Sequence, residues 1–168
     1  SASIDVPRGN VTIVGSDNST FSVVGELDDK MNEFVFEKSG NSIRLKVKMP
    51  HNQSSHWDND GSRLTISVPS SIKVNFEGVS TNVSVEDLDK GVDIQTVSGD
   101  IEAENLNERV ELNTISGDID SSSLNGKLSL STVSGNITDK SSAGRLQLKA
   151  ISGDIDTNSS ASEVSISQ

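Results

Sequence analysis

The sequence predicts an all-β protein, a single-domain parallel β-solenoid with two strands in each 18-residue coil. Three observations predict this fold. An aliphatic residue recurs every nine positions, apolar and polar residues alternate around it, and glycines punctuate the repeat. Repeats of this kind are typical of stacked architectures in which each unit buries its apolar side against its neighbours. We expect one domain over residues 1–168, with irregular N-terminal coils over 1–78 and five regular coils over 79–168.

The regular half begins at Val79 and divides into five blocks of 18 residues, each made of two halves of nine. In several halves two apolar residues stand two positions apart, as in Leu128 and Leu130, and such a pair points to one side of a strand. Strands stacked about 4.8 Å apart would then share one narrow core. The fifth residue of every half is aliphatic: Val83, Val92, Ile101, Val110, Ile119, Leu128, Ile137, Leu146, Ile155 and Val164.

The N-terminal half follows the same unit with irregular spacing and is interrupted by a loop over residues 48–62. Its candidate marker residues are Val11, Phe21, Phe34, Ile43 and Leu64. With Val74 and the regular half, they predict sixteen strands, or about eight coils. Glycine is expected at the bends because it adopts a positive φ without penalty. The candidate bend glycines are Gly99, Gly117, Gly135 and Gly153 at one edge, and Gly126 and Gly144 at the other.

Composition narrows the possible partners. The formal net charge of −11 would repel a phosphate backbone, so nucleic acid is excluded, and an anionic membrane surface is disfavoured for the same reason. Cations, polar sugars and basic protein surfaces remain open. The absence of cysteine excludes thiol catalysis and disulfides. No apolar run approaches 18 residues, so we expect no membrane insertion.

A motif repeated four times carries a family resemblance: an aliphatic residue, Ser, Gly, Asp or Asn, then Ile, as in Val97–Ile101 and Ile115–Ile119. With Leu64–Pro69, Gly9–Gly15 and Val23–Leu27, this motif resembles the bacterial "putative adhesin" family of domains of unknown function. The resemblance covers almost the whole chain. It implies a non-enzymatic protein of β-strand repeats in the bacterial envelope, periplasmic or extracellular, whose leader is absent from this chain.

The first candidate site is a ladder of polar turn residues at the repeated motif. Stacked carboxylates about 5 Å apart repel each other by roughly 1 kcal/mol in water, and a bound cation or a basic partner would relieve that repulsion. The favoured interpretation is structural: Asp and Asn accept hydrogen bonds from turn amides. The ladder contains Ser98, Asp100, Ser116, Asp118, Ser134, Asn136, Ser152 and Asp154.

The second candidate site is the loop between Ile43 and Leu64, which contains both histidines and the single tryptophan. His51, His56, Asp58 and Asp60 could bind a divalent metal, and Trp57 could stack on a sugar. The spacing matches no specific zinc signature, so the metal stays unknown. The favoured interpretation is an excursion whose Trp covers the apolar flank of the solenoid.

We therefore expect a non-enzymatic binding or scaffold module without a cofactor. The sequence contains no phosphate loop, dinucleotide fingerprint or ordered Ser–His–Asp set. The alternative function is a solenoid that binds or acts on polysaccharide through the His51–Asp60 loop. The specific protein or glycan partner is unknown. Because the last coil carries no evident cap, we also predict an end-to-end homodimer through the C-terminal coil.

Overall fold

The computed structural model describes residues 2–17, 21–26, 33–40, 42–48, 62–158 and 163–167. These ranges contain strands and turns and no helix, which confirms the all-β prediction. The strands are β1 (Ala2–Asp5), β2 (Arg8–Ser16), β3 (Ser22–Glu26), β4 (Glu33–Ser39), β5 (Ser42–Lys48), β6 (Ser62–Pro69), β7 (Val74–Glu77), β8 (Ser80–Leu88), β9 (Val92–Thr96), β10 (Ile101–Thr114), β11 (Ile119–Ser122), β12 (Asn125–Thr132), β13 (Ile137–Lys140), β14 (Ala143–Ala150), β15 (Ile155–Asn158) and β16 (Glu163–Ser167).

The strands form one curled sheet with two halves, which we name sheet A and sheet B. Sheet A has the order β4-β5-β1-β7-β9-β10-β12-β14-β16, and sheet B has the order β3-β6-β2-β8-β10-β11-β13-β15. The long strand β10 belongs to both, because its first residues pair in sheet B and its last residues pair in sheet A. The buried aliphatic residues of both halves form a single core cluster.

The nine-residue period arises because successive halves of the repeat lie alternately in sheet B and sheet A. In sheet B, Ile101 pairs with Ile119, which continues to Ile137 and Ile155 in parallel register. In sheet A the corresponding file contains Val92, Val110, Leu128 and Leu146. Side chains between the markers point to solvent, as the alternating burial of β8 and β12 shows.

Two kinds of turn connect the sheets. The valine corner leads from sheet A to sheet B and comprises residues 79–82, 97–100, 115–118, 133–136 and 151–154. The leucine corner leads back from sheet B to sheet A and comprises residues 87–90, 105–108, 123–126 and 141–144. The candidate turn ladder therefore lies entirely at the valine corner.

The N-terminal strands do not stack in chain order. β1 lies between β5 and β7, and β2 lies between β6 and β8. The nine-residue period gives no marker before Val11, yet Ile4 in β1 is 1% exposed and belongs to the core. The nine-residue period does not reveal β1, because this strand is four residues long and its partner strands lie far away in the sequence.

Two strand pairs at the N-terminal end are antiparallel, which corrects the expectation of parallel strands at Phe21 and Phe34. β4 pairs with β5, and β3 pairs with β6. β4 ends at Ser39 and β5 begins at Ser42, and Gly40 follows β4 with a φ of 58°. Such a short connection joins antiparallel neighbours only. Phe21 immediately precedes β3 and packs against the core, whereas the Phe34 side chain lies outside the described part.

Candidate functional site

The acidic side of the turn ladder is a continuous chain of hydrogen bonds. Each Asp or Asn accepts, through a side-chain oxygen, the backbone N–H of the equivalent residue one repeat later. Asn82 Oδ1 accepts from Asp100 at 2.9 Å, and Asp100 Oδ1 accepts from Asp118 at 2.9 Å. Asp118 Oδ1 then accepts from Asn136 at 2.8 Å, and Asn136 Oδ1 accepts from Asp154 at 2.9 Å. Each of these side chains thus satisfies a turn amide that the strand ladders leave unpaired.

The serines of the ladder contribute through the backbone. The N–H of Ser116 donates to the Val97 carbonyl at 2.9 Å, and Ser134 donates to Ile115 at 2.9 Å. Ser98 and Ser152 form the same bond with Val79 and Val133. The serine side chains are exposed. The ladder is therefore a structural feature whose hydroxyl groups are available at the surface.

The glycines of the valine corner serve a different purpose from the one predicted. Gly99, Gly117, Gly135 and Gly153 do not have a positive φ. A Cβ atom on Gly135 would lie 1.8 Å from the carbonyl oxygen of Gly117, and one on Gly117 would lie 2.0 Å from that of Gly99. The column is glycine because adjacent backbones approach too closely for any side chain. The original reason does hold at the leucine corner, where Gly126 has a φ of 121° and Gly144 a φ of 98°.

The solvent side of sheet B forms an acidic face that sequence reasoning missed. We define it as the outward-facing residues of β8, the first part of β10, β11, β13 and β15, with the turn residues before them. Among the described residues of these strands and turns, Lys140 is the only basic side chain on the face, and Arg63 of β6 lies in the same column as Asp100, two strands beyond β8. The 18-residue repeat in the sequence places these acids in columns. Only the strand pairing in the structure shows that the columns lie on the same side of sheet B. The carboxylates are Glu86, Asp100, Glu102, Glu104, Asp118, Asp120, Asp154 and Asp156.

The centre of the acidic face is an open groove of about 550 Å³ lined by Ser84, Glu102, Asp120, Thr138 and Lys140, among others. Glu102 and Asp120 are direct neighbours across β10 and β11, and Ser84 Oγ donates to Glu102 Oε2 at 3.3 Å. Burial raises the pKa of Asp120 above its ordinary value, and the negative charges of Glu102, Asp118 and Asp100 raise it further. The positive charge of Lys140, which also lines the groove, lowers the pKa of Asp120 and opposes these effects in part.

The solvent side of sheet A carries the opposite charge near the leucine corner. Arg109, Lys127 and Arg145 occupy equivalent positions in β10, β12 and β14 and form one basic column. Arg109 Nη2 lies 3.0 Å from Glu111 Oε1. The parallel register of the three strands aligns these side chains.

The interior of the C-terminal repeats holds a buried polar network. Ser121, Asp139 and Thr157 occupy the core column that begins with Val85 and Ala103. Asp139 is 1% exposed, and its Oδ1 accepts hydrogen bonds from Ser121 Oγ at 2.7 Å and from Ser142 Oγ. Its Oδ2 accepts from Thr157 Oγ1 at 3.3 Å. Because three hydroxyl groups donate hydrogen bonds to the buried carboxylate and both of its oxygens have a partner, this cluster is a structural network.

The other sequence-predicted site lies outside the described residues. This applies to His51, His56, Trp57, Asp58 and Asp60, so the metal and sugar interpretations of that loop stay predictions. Within the ranges that the structure describes, no group of three or more His, Cys, Asp or Glu side chains is arranged to hold a metal ion. None of the described residues forms a helix with the length and hydrophobicity that a membrane crossing requires.

Comparison with known proteins identifies the family. The family model described as Toastrack DUF4097 matches residues 2–167. The chain belongs to this family. The match confirms the resemblance derived from the repeated motif. A solved structure of a "putative cell adhesion protein" from Clostridium sporogenes aligns over 99% of this chain and 91% of that chain, at 8% identity and a TM-score of 0.49. No curated protein matches the sequence.

Proposed function

We propose that this Toastrack chain is a non-enzymatic, exported binding module of the bacterial envelope, a rigid solenoid with two strands in each coil. Its recognition surface is the acidic face of sheet B, and its partner is a basic polypeptide surface. One observation carries the proposal: the outward side of β8, the first part of β10, β11, β13 and β15 concentrates carboxylates on one rigid face, where Lys140 is the only basic side chain among the described residues.

Rigidity supports a binding role. The side-chain-to-amide hydrogen bonds of Asp100 and Asp118 fix the turn from which each acidic strand begins. The strands themselves are held on both sides by parallel neighbours. A preorganised charged surface loses little conformational entropy when a partner binds, and complementary charge accelerates encounter.

The distribution of charge also sets the partner's chemistry. Carboxylates on adjacent strands lie about 5 Å apart, so a partner with Lys or Arg at similar intervals would neutralise several of them together. The described residues do not form a cluster suited to a metal ion. A polycationic segment is therefore a better match to this face than a single divalent ion.

Binding of an unstructured peptide rich in Lys and Arg, measured by calorimetry at low and high salt, tests the proposal. The triple variant Glu102→Gln/Asp118→Asn/Asp120→Asn should weaken binding at least about tenfold, equivalent to about 1.4 kcal/mol. Asn at position 118 retains the ladder hydrogen bond, because Asn136 already forms it in the next repeat.

A matched control removes the same formal charge from sheet A, through Asp5→Asn/Glu77→Gln/Asp93→Asn. It should change the affinity by less than about threefold, since these groups lie on the other sheet and are largely screened. Equal losses in the two triple variants would show that net charge alone drives binding, and the proposal would then fail.

The alternative function, polysaccharide recognition through the His51–Asp60 loop, makes a separate prediction. Binding on a glycan array that is lost in His51→Ala/His56→Ala and retained in the acidic-face triple variant would establish it in place of the proposed function. The predicted end-to-end homodimer through the C-terminal coil is also a proposal, and the variant Val164→Lys/Ile166→Lys tests it.

A further inference from the structure

A row of aliphatic side chains lies exposed along the valine corner. We name this row the valine stripe. It accounts for five of the seven large hydrophobic side chains that are exposed in the described part of the chain. Its members are Val79 (54% exposed), Val97 (44%), Ile115 (50%), Val133 (39%) and Ile151 (59%). Contiguous exposed apolar surface of this kind is typical of interaction sites.

The fold does not require the stripe to be apolar. The equivalent residue at the leucine corner is buried, with Leu88 and Leu106 at 0% and Leu124 at 1% exposure. At the valine corner the aliphatic residue points outward, beside an exposed Ser and a Gly. A polar side chain would cost nothing in the core at these positions, yet all five repeats carry Val or Ile.

The stripe is rigid and regularly spaced. The carbonyl of Val97 accepts the N–H groups of both Ile115, at 3.1 Å, and Ser116, at 2.9 Å. The carbonyl of Ile115 accepts those of Val133 and Ser134 in the same way. Each rung is therefore fixed one strand spacing from the next, and four spacings of about 4.8 Å give a length of roughly 19 Å.

We infer that the valine stripe is a self-association edge, at which two copies of this chain pack side by side with their stacking axes parallel. The spacing selects the partner. Side chains on one face of a single extended peptide repeat at about 6.8 Å, which does not match rungs about 4.8 Å apart. A second copy presents rungs at the same spacing, so every aliphatic residue meets an aliphatic residue.

Charge favours the parallel orientation. A two-fold axis along the stack places the sheet B side of one copy beside the sheet A side of the other. In that arrangement no like charges oppose each other, and Asp154 meets Lys149. An antiparallel pair centred on Ile115 would instead place Asp118 against Asp118. The facing pairs in the parallel dimer are Asn82 with Glu77, Asp100 with Gln95, Asp118 with Asn113, Asn136 with Ser131, and Asp154 with Lys149.

The size of the surface predicts reversible association. A stable interface buries about 800 Å² on each partner, and five half-exposed aliphatic side chains provide only part of that area. The neighbouring groove of about 360 Å³, lined by Gln95, Asn113 and Glu77 beside the stripe, extends the contact on the sheet A side. The dimer should therefore depend on protein concentration.

Sedimentation velocity over a concentration series tests the association. Ile115→Asp places a charge at the centre of the stripe and should weaken dimerisation at least tenfold. Gln147→Asp, an exposed position on sheet A, is the matched control and should leave it within twofold. A wild-type chain that stays monomeric at all concentrations overturns the inference. The inference is also overturned if the dimer is lost in Val164→Lys/Ile166→Lys but retained in Ile115→Asp.

Cysteine cross-linking tests the orientation, and the chain has no native cysteine to interfere. In the parallel dimer two copies of Val97→Cys meet directly and should form a disulfide on mild oxidation. In the antiparallel dimer they lie two rungs out of line, or roughly 10 Å apart, beyond the reach of a disulfide. Cross-linking between Val97→Cys and Val133→Cys, without the Val97 homodimer, would overturn the parallel arrangement. Ser129→Cys on sheet A is the control for random collision.

Discussion

In the first three repeats the two corners contain the same kind of residue and place it on opposite sides, whereas the fourth repeat has the buried Ser142 at its leucine corner. At the leucine corner the aliphatic residue enters the core, as Leu106 does, whereas at the valine corner Ile115 points to solvent. The backbone explains the difference. The first residue of the leucine corner, which precedes the buried side chain, has a left-handed backbone conformation. Asn105 has a φ of 53°, Ser123 of 55° and Ser141 of 58°.

No residue of the valine corner is left-handed. Before Val97, Ile115 and Val133 the preceding residue is Thr96, Thr114 or Thr132, whose side chains are buried, whereas Gly78 precedes Val79 and Ala150 precedes Ile151. Thr114 Oγ1 donates to the Gly99 carbonyl at 3.1 Å, and Thr132 Oγ1 to the Gly117 carbonyl at 3.0 Å. A β-branched residue disfavours the left-handed region, whereas Asn and Asp tolerate it. The backbone conformation of one residue, left-handed or not, thus decides whether the next side chain lies in the core or is exposed to solvent.

The largest expected effect is at the glycine column of the valine corner. In Gly135→Val the new Cβ would lie 1.8 Å from the Gly117 carbonyl oxygen, so adjacent backbones must separate. We expect the free energy of unfolding to fall by more than about 4 kcal/mol, measured by urea denaturation. Ser134→Val, on the exposed neighbour, is the control and should cost far less. Similar values for the two variants would contradict the close-approach explanation.

The next largest effect is the difference in stability between truncating the buried aliphatic residue of the leucine corner and truncating the exposed one of the valine corner. Leu106→Ala should lower the free energy of unfolding by about 2–5 kcal/mol, because it leaves a cavity in a fully buried site. Ile115→Ala should change it by less than about 0.5 kcal/mol in dilute, monomeric protein. Denaturation of both variants under the same conditions provides the measurement. A large loss in Ile115→Ala would show that the valine stripe stabilises the monomer.

A smaller effect tests the left-handed residue that separates the corners. Ser123 is exposed and has a φ of 55°, so Ser123→Val should cost about 1–2 kcal/mol from backbone strain. Ser123→Gly should be neutral or stabilising, since glycine adopts this conformation freely. Thermal unfolding of the two variants against wild type gives the order. If Val and Gly were equally tolerated, the backbone account of the corners would be wrong.

Much of the regular half could be predicted because its period is a local property. The file through Ile101, Ile119 and Ile137 is readable from spacing alone. The corners were not separated, although the signal was present: Asn105 or Ser123 precedes a buried Leu, and Thr96 or Thr114 precedes an exposed aliphatic residue. Recognising it requires left-handed propensity in addition to hydrophobic period.

The rest depended on long-range pairing. Nothing local to Ile4 indicates that β1 inserts between β5 and β7, because insertion is decided by partners elsewhere in the chain. The hairpin of β4 and β5 did have a local signal, a Gly40–Asn41 pair between alternating strands. Predicting the acidic face requires the direction of each strand in addition to the nine-residue period. Glu102 and Asp120 were therefore not identified from the sequence columns alone.

The smallest expected effect is the pH dependence that burial and the neighbouring carboxylates impose on Asp120. The pKa of Asp120 is raised by burial and then by the charges of Glu102, Asp118 and Asp100. The folded protein therefore holds this proton more tightly than the unfolded chain does. As pH falls below neutrality through the raised folded pKa toward the ordinary value of 3.8, the contribution of Asp120 to stability increases.

Asp120→Asn should remove that contribution, so the variant should gain stability at pH 7 and show a flatter profile toward acid in urea unfolding. Asp5 and Asp93 also have raised pKa values, so part of the slope should persist. Asp156→Asn, in the same outward column, is the control for losing one charge. If Asp120→Asn leaves the profile unchanged, neither burial nor the charges of Glu102, Asp118 and Asp100 raise the pKa of Asp120 in the folded protein. The acidic face would then be a set of independently solvated charges.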